Sequence, residues 1–279
     1  MKKLPDEFTN RMKEILGDDF SEYEKALEEA PVKGFRINTE KITPEDFEKL
    51  NNFSAGKIPY VENGYYLDYE RIGNHPYHHA GMIYIQEPGA MAPAECVEIN
   101  PDWKILDMCA APGGKSTQLK NKLGENGILV SNEIIPSRCK ILTGNIERLG
   151  LKNVVTTCMD TSRLAKTFPD TFDLIMVDAP CSGLGTIHKK PDIKYNRKEE
   201  DVEALCRVQK KILESAAKYV KSGGVLVYAT CTILREENEM QTEAFLKEHT
   251  DFEKESEKLY LAHETGGSGF YICRMRRFR

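Results

Sequence analysis

Apolar residues recur at helical spacing from the start of the chain, at Leu4, Phe8, Met12 and Ile15 and again at Tyr23 and Leu27. Gly17 interrupts the run and Pro31 closes it, so the pattern predicts helix over most of residues 4–30. Residues 34–38 (GFRIN) read as a short strand. Thr43 then offers a hydroxyl cap with Pro44 at the first helical position, which opens another helix. Residues 57–86 set six tyrosines among turn residues and short apolar runs, the mark of short strands joined by turns. A boundary is expected near residue 79, leaving a small N-terminal α/β domain over 1–79 and a second unit over 80–279.

In that second unit the rhythm changes to alternating helix and strand. Residues 88–98 are helical, and 104–108 form a strand that enters a glycine-rich turn and a helix running to 123. Further apolar, β-branched runs at 127–133, 154–159, 172–177 and 225–229 are bounded by turn residues, with helices over 138–149 and 201–220. This alternation predicts an α/β fold, a mostly parallel sheet with helices on both faces.

In such sheets ligands bind beyond the carboxyl ends of the strands. The loop that begins at Asp107 (DMCAAPGGKS, 107–116) lies there. Its small residues let the backbone approach a ligand closely, although a tight strand-to-helix turn would need the same residues. Two phosphate cradles are excluded. Gly114-Lys115-Ser116 matches the end of a P-loop, but the position of its first glycine holds Cys109, and GxGxxG is absent. Glu133 ends the next strand, 26 residues after Asp107, where an acid accepts both hydroxyls of a ribose. Asp160 follows the third strand and is placed to accept from an adenine amine. Each acid alone is an ordinary exposed carboxylate, whereas three at successive strand ends favour a nucleoside site.

The next two strands each run into a cysteine, in Asp178-Ala-Pro-Cys181-Ser-Gly183 and Tyr228-Ala-Thr-Cys231-Thr232. Parallel strands place both endings on the cofactor's side. Cytosine C5 is a poor nucleophile until a thiolate adds to C6, and that chemistry needs an activated cysteine and an acid at the N3/N4 edge of the ring. Asp178 is placed for the second task. Either thiol could equally be a buried small hydrophobe, the commoner fate of cysteine.

Resemblance adds to this reading. The ordered set DMCAAPGGKS, Asn132-Glu133, DAPCSG, and ATCT followed by Glu236-Glu237-Asn238 resembles the Nol/Nop/Sun family of RNA 5-methylcytosine methyltransferases. The likeness includes residues 73–95 and the final GFYICRMRR. The bacterial ribosomal RNA branches look nearest, RsmF-like in FRINTEK and IQEPGAM and RsmB-like in GTIHKKPDIKY. The resemblance implies a Rossmann-like class I methyltransferase core and S-adenosyl-L-methionine as cofactor. Cys109, Ala110, Ala111, Pro112, Gly113, Gly114 and Lys115 would form the cofactor loop, with Glu133 on the ribose, Asp160 near the adenine and Asp178 between cofactor and base. Cys231 would be the nucleophile, and Cys181 would help to release the product. The residues by themselves do not rank the two thiols. RsmF-like members carry a further C-terminal region, whereas this sequence stops at Arg279, directly after its core.

Composition limits the setting. No apolar run nears the ~20 residues that span a bilayer, and the lysines at the N-terminus lead into acids instead of a signal core, so a cytoplasmic protein is expected. None of the eight cysteines forms a CxxC pair or a zinc spacing with histidine, so reduced thiols and no metal are expected. A net charge of −5 argues against binding nucleic acid by charge alone. The charge is uneven, however. His188, Lys189, Lys190, Lys194, Arg197 and Lys198 form one basic stretch, and Arg274, Arg276, Arg277 and Arg279 another; a solvated face is the usual fate of such runs. The expected partner is RNA, ribosomal first and transfer RNA second. A methyltransferase of proteins or small molecules and a non-catalytic RNA-binding assembly factor are the alternatives.

Overall fold

Seven strands of the second unit hydrogen-bond into one sheet, whose central strands are apolar runs buried on both faces. The computed structural model describes residues 6–164, 168–187 and 198–278. In chain order the strands of the N-terminal sheet are β1 (Gly34–Ile37), β2 (Ser54–Lys57), β3 (Gly64–Leu67) and β4 (Ile83–Ile85). They pair in the order β2-β3-β1-β4, all antiparallel. Phe35, Phe47, Phe53 and Tyr65 fill the centre, with Phe35 stacked on Tyr65 at 5.4 Å between ring centroids. The helix Pro44–Leu50 starts as its sequence requires, with the Thr43 hydroxyl accepting from the Asp46 amide at 3.2 Å.

The large sheet contains β5 (Lys104–Asp107), β6 (Ile128–Asn132), β7 (Val154–Thr157), β8 (Phe172–Asp178), β9 (Val220–Thr230), β10 (Phe252–Tyr260) and β11 (Phe270–Arg277). Their order is β10-β11-β9-β8-β5-β6-β7. Five are parallel, and β11 enters antiparallel between β9 and β10. From β5 the chain steps outward to β6 and β7, then returns to the other side for β8 and β9. The order therefore reverses between β5 and β8, the topological switch point at which α/β sheets bind ligands. Asp107 ends β5 and Asp178 ends β8, one on each side of that point.

Two features depart from the sequence expectations. The helix expected over 201–220 ends at Ala216, and the strand expected at 225–229 begins at Val220, pairing with Phe172 before an irregularity. The N-terminal helices Asp6–Leu16 and Phe20–Glu28 pack on the large unit. Phe8, Met12, Leu16, Phe20, Tyr23 and Leu27 share a core with Leu184, Ile187, Ile233 and Leu234, the residues that follow the two cysteine turns. Arg36 of β1 also reaches from the N-terminal sheet to the helix Gly114–Lys122. Its guanidinium, buried and lowered to about 10 by desolvation, donates to Gln86 Oε1 at 3.0 Å, Gly114 O at 2.7 Å and Thr117 Oγ1 at 2.9 Å.

Candidate active site

The loop after β5 is shaped by its own backbone. Ala110 N–H donates to Asn132 O across to β6, and Gly113 N–H donates back to Ala110 O at 2.7 Å. Gly113 has φ +110°, a region that favours glycine, and stands directly before the helix Gly114–Lys122. Cys109, Ala110, Ala111, Pro112, Gly113, Gly114 and Lys115 thus line the start of one helix, with Pro112 exposed and the alanines buried. Burial pushes the Cys109 thiol up, which disfavours it as a nucleophile.

Three acids surround this loop. Asp107 is 1% exposed; its Oδ2 accepts from the Ser116 hydroxyl at 2.6 Å, and its Oδ1 has no hydrogen-bond partner among the described residues. Burial, reinforced by Asp178, pushes its carboxyl up to about 7, while Ser116 and Lys115 oppose that shift. Glu133 Oε1 accepts from Ile135 N–H at 3.0 Å, and Arg138 lies 3.2 Å from Oε2. The same guanidinium donates to Ala111 O at 2.7 Å, joining the acid to the loop. Asp160 is exposed and its Oδ1 accepts from Ser162 N–H, which holds it below the usual carboxylate range. The side chains of Ile134, Ile135 and Met159 stand exposed around these acids.

A buried carboxyl with a raised folded pKa makes stability depend on pH. Asp107 contributes most below the unfolded value near 4, and this contribution is lost as pH rises to about 7. The loss amounts to about 4 kcal/mol. Asp107→Asn should remove that slope, so melting temperatures of the wild type and variant should diverge between pH 4 and 7 and run parallel above it. Parallel curves throughout would show that Asp107 does not hold its proton in the fold.

The cysteines meet as the parallel register requires. Asp178 of β8 pairs with Ala229 of β9, and the chain leaves both strands in the same direction. Cys181 Sγ and Cys231 Sγ lie 3.1 Å apart, well beyond a disulfide bond of about 2.05 Å. The Cys181 thiol is pushed well above its ordinary range, first by its hydrogen bond with Cys231, then by burial and by the nearby charges of Glu237 and Asp178. Lys115 Nζ sits 2.6 Å from Asp178 Oδ2 and 5.0 Å from the centre of the Phe270 ring. Lys115 is 8% exposed and Asp178 30%.

The chain matches the family model of the 16S rRNA methyltransferases RsmB/F over residues 94–275, and that of the N-terminal domain of RsmF over residues 4–88. It belongs to the RsmB/F methyltransferase family. Its large unit has the Rossmann-like class I methyltransferase fold. The ribosomal RNA small subunit methyltransferase F of Vibrio cholerae is 38% identical over 247 residues, 85% of this chain and 52% of that protein. The chain spans about half the length of the curated relatives it matches. A methyltransferase homologue from Pyrococcus horikoshii is 27% identical with a TM-score of 0.84, over 97% of this chain and 94% of that one. NSun6 from the same organism, solved with SFG, is alike in fold: 22% identity, TM-score 0.87, coverage 99% and 98%.

The two basic stretches fare differently. His188, Lys189, Lys190, Lys194 and Arg197 lie outside the described residues, and Arg279 does too. Arg274 and Arg276 both pair with Glu255, and Arg277 pairs with Asp170 and Asp251. Arg274, Arg276 and Arg277 are therefore largely neutralised within the protein. Sequence reasoning gave no role to Ser182, Gln209, Glu237 and Asn238, which are buried behind the cysteines. Their signal was the Glu236-Glu237-Asn238 run, an unusual place to bury an acid.

Proposed function

We propose that the chain transfers a methyl group from S-adenosyl-L-methionine to C5 of a cytosine in RNA, ribosomal RNA of the small subunit before transfer RNA, through a covalent bond between Cys231 and C6. The observation that carries this reading is the 3.1 Å approach of two thiols beside Asp178 at the switch point of the sheet. Methylation of an amine or oxygen would have no use for such a pair.

The residues present fit the cofactor. Asp107 Oδ1 is a buried acceptor lacking a donor, and Glu133 stands at the next strand end with exposed Ile134 and Ile135 beside it. Residues 109–115 would hold the methionine end, Glu133 the ribose hydroxyls and Asp160 the adenine edge. When bound, the cofactor supplies an electrophilic methyl group on a sulfonium. Glu133→Ala should weaken its binding about 10- to 100-fold, since hydrogen bonds to a charged acceptor contribute about 1.5–3 kcal/mol. Titration calorimetry would read this, and an unchanged affinity would remove Glu133 from the ribose site.

In the reaction the Cys231 thiolate adds to C6, and electron density moves through the ring toward N3. The proton released from the Cys231 thiol is taken up at N3, and Asp178, fixed by Lys115, accepts from the N4 amine and from that N3–H. The enamine so formed takes the methyl group at C5. A water held by Cys181 then takes the C5 proton, the C5–H electrons form the C5=C6 bond, and the C6–S bond breaks with its electrons returning to Cys231 as N3 gives up its proton. Cys181 serves that last stage. The target cytosine must be unstacked or flipped to reach the thiol. We place the N-terminal unit, expected to end near 79, as an accessory RNA-holding domain whose limit lies after Ile85, because β4 belongs to its sheet. The cytoplasm is the proposed compartment; no helix among the described residues is long and apolar enough to cross a membrane.

Incubation of the full chain with methyl-labelled cofactor and either small-subunit RNA, transfer RNA or total protein tests the reading. Label should enter small-subunit RNA as 5-methylcytosine. Label in transfer RNA alone would correct the substrate, and label in protein alone would overturn the proposal.

A further inference from the structure

Glu237 has no exposed surface, yet it belongs to a run of polar residues just after the Cys231 turn. Its carboxylate accepts from Ser182 N–H at 2.8 Å, from the Ser182 hydroxyl, and from Gln209 Nε2 at 2.9 Å. All three of these donors are neutral groups. The same Gln209 amide donates to Pro180 O at 3.0 Å. The residues on both sides of Cys181 are thus gripped from one point. Asn238, the next residue, does the same for Cys231. It accepts from the Thr230 hydroxyl and donates to Thr232 O at 3.1 Å. A contact of 2.9 Å between the Ser182 and Thr232 hydroxyls joins the two grips. From the far side, Arg11 of the first helix pairs with Glu236.

Burying a carboxylate among described partners that are all neutral is costly until hydrogen bonds offset it. An apolar residue would pack this site more simply, which points to a specific use for the acid. We propose that Glu237 is a positioning residue that acts through Ser182 to hold Cys181 in register with Cys231, so that the two thiols keep separate roles. The proposal rests on the reading of Cys231 as nucleophile. Among the described residues the groups that most disfavour the Cys181 thiolate are Cys231, Glu237 and Asp178, with Tyr228 also close. Cys181 therefore keeps its proton and can share it with the Cys231 sulfur, whereas a freed Cys181 would compete as a second thiolate.

Alkylation of the full chain by iodoacetamide at pH 8, followed by peptide mass mapping of each cysteine, tests this without RNA. In the wild type Cys231 should react roughly tenfold faster than Cys181. In Glu237→Gln and in Ser182→Ala, Cys181 should accelerate by about five- to tenfold, narrowing that gap. Buried Cys273 and exposed Cys158 act as internal standards and should not change. A Cys181 rate within twofold of wild type in both variants overturns the proposal. So does a parallel rise at Cys273, which would reveal loosening of the whole core. If Glu237→Gln fails to fold, Ser182→Ala decides alone. A wild-type protein that forms no adduct with any RNA would sink the functional reading, and the alkylation pattern would still judge Glu237.

Discussion

Cys231→Ala should lose methyl transfer by roughly 10⁴-fold or more, the scale on which removal of a covalent nucleophile acts, and should form no adduct with RNA. Cys181→Ala should behave otherwise. It retains the attacking sulfur and Asp178, so addition to C6 and methyl transfer should proceed, while release slows and a protein–RNA adduct accumulates. The asymmetry follows from the chemistry. Addition needs one nucleophile, but elimination requires that the C5 proton be taken away. In the structure the two sulfurs are 3.1 Å apart, near enough for one to influence the protonation of the other. Denaturing gel electrophoresis of each variant with RNA and cofactor would show the shifted band. A band from Cys231→Ala and none from Cys181→Ala would exchange the assignments. No band from any form, under conditions that methylate RNA, would remove the covalent step.

Why the cysteines could be paired from sequence but not ranked is instructive. Strand periodicity and the turn residues after β8 and β9 placed both at one edge, because in a parallel sheet successive strand ends share a side. Nothing in the spacing distinguishes Cys181 from Cys231; that came from family resemblance. The local turn chemistry at Thr43-Pro44 was equally legible, since capping depends on adjacent residues. Features with distant partners were not. β10 carries mostly exposed polar side chains, as an edge strand can, so its residues 252–260 give no apolar signal. β11 ends in arginines whose partners, Glu255, Asp251 and Asp170, are spread along the chain. The packing of the N-terminal helices on the turns beyond Cys181 and Cys231 was hidden for the same reason. Amphipathic spacing shows that a helix has an apolar face without saying what covers it. The buried grip of Glu237 and Asn238 on both cysteine turns is the extreme case, because acid and amide types are ordinarily read as surface.

Asp178→Asn is expected to lower the rate of methyl transfer by about 10²- to 10³-fold, the range in which loss of a single preorganised electrostatic partner acts. Asparagine keeps the shape and one acceptor, but it cannot hold a protonated N3 with a full charge, so adduct formation should fall together with methylation. That coupling separates Asp178 from Cys181, whose loss should raise the adduct. Stability should change as well, for a different reason. Lys115 is 8% exposed, and Asp178 Oδ2 lies 2.6 Å from its ammonium. Removing the carboxylate leaves a buried cation unpaired, which costs about 3 kcal/mol when one member of a buried pair is lost, and less here because Asp178 is partly solvated. Replacing Lys115 by methionine in the same molecule removes the stranded charge and keeps an apolar contact for Phe270. The double variant Lys115→Met/Asp178→Asn should therefore regain melting temperature over Asp178→Asn alone while its rate stays low. Thermal denaturation and single-turnover methylation on the four proteins of this cycle would read the two effects apart. Recovery of the rate along with stability would mean that Asp178 serves the fold and not the cytosine.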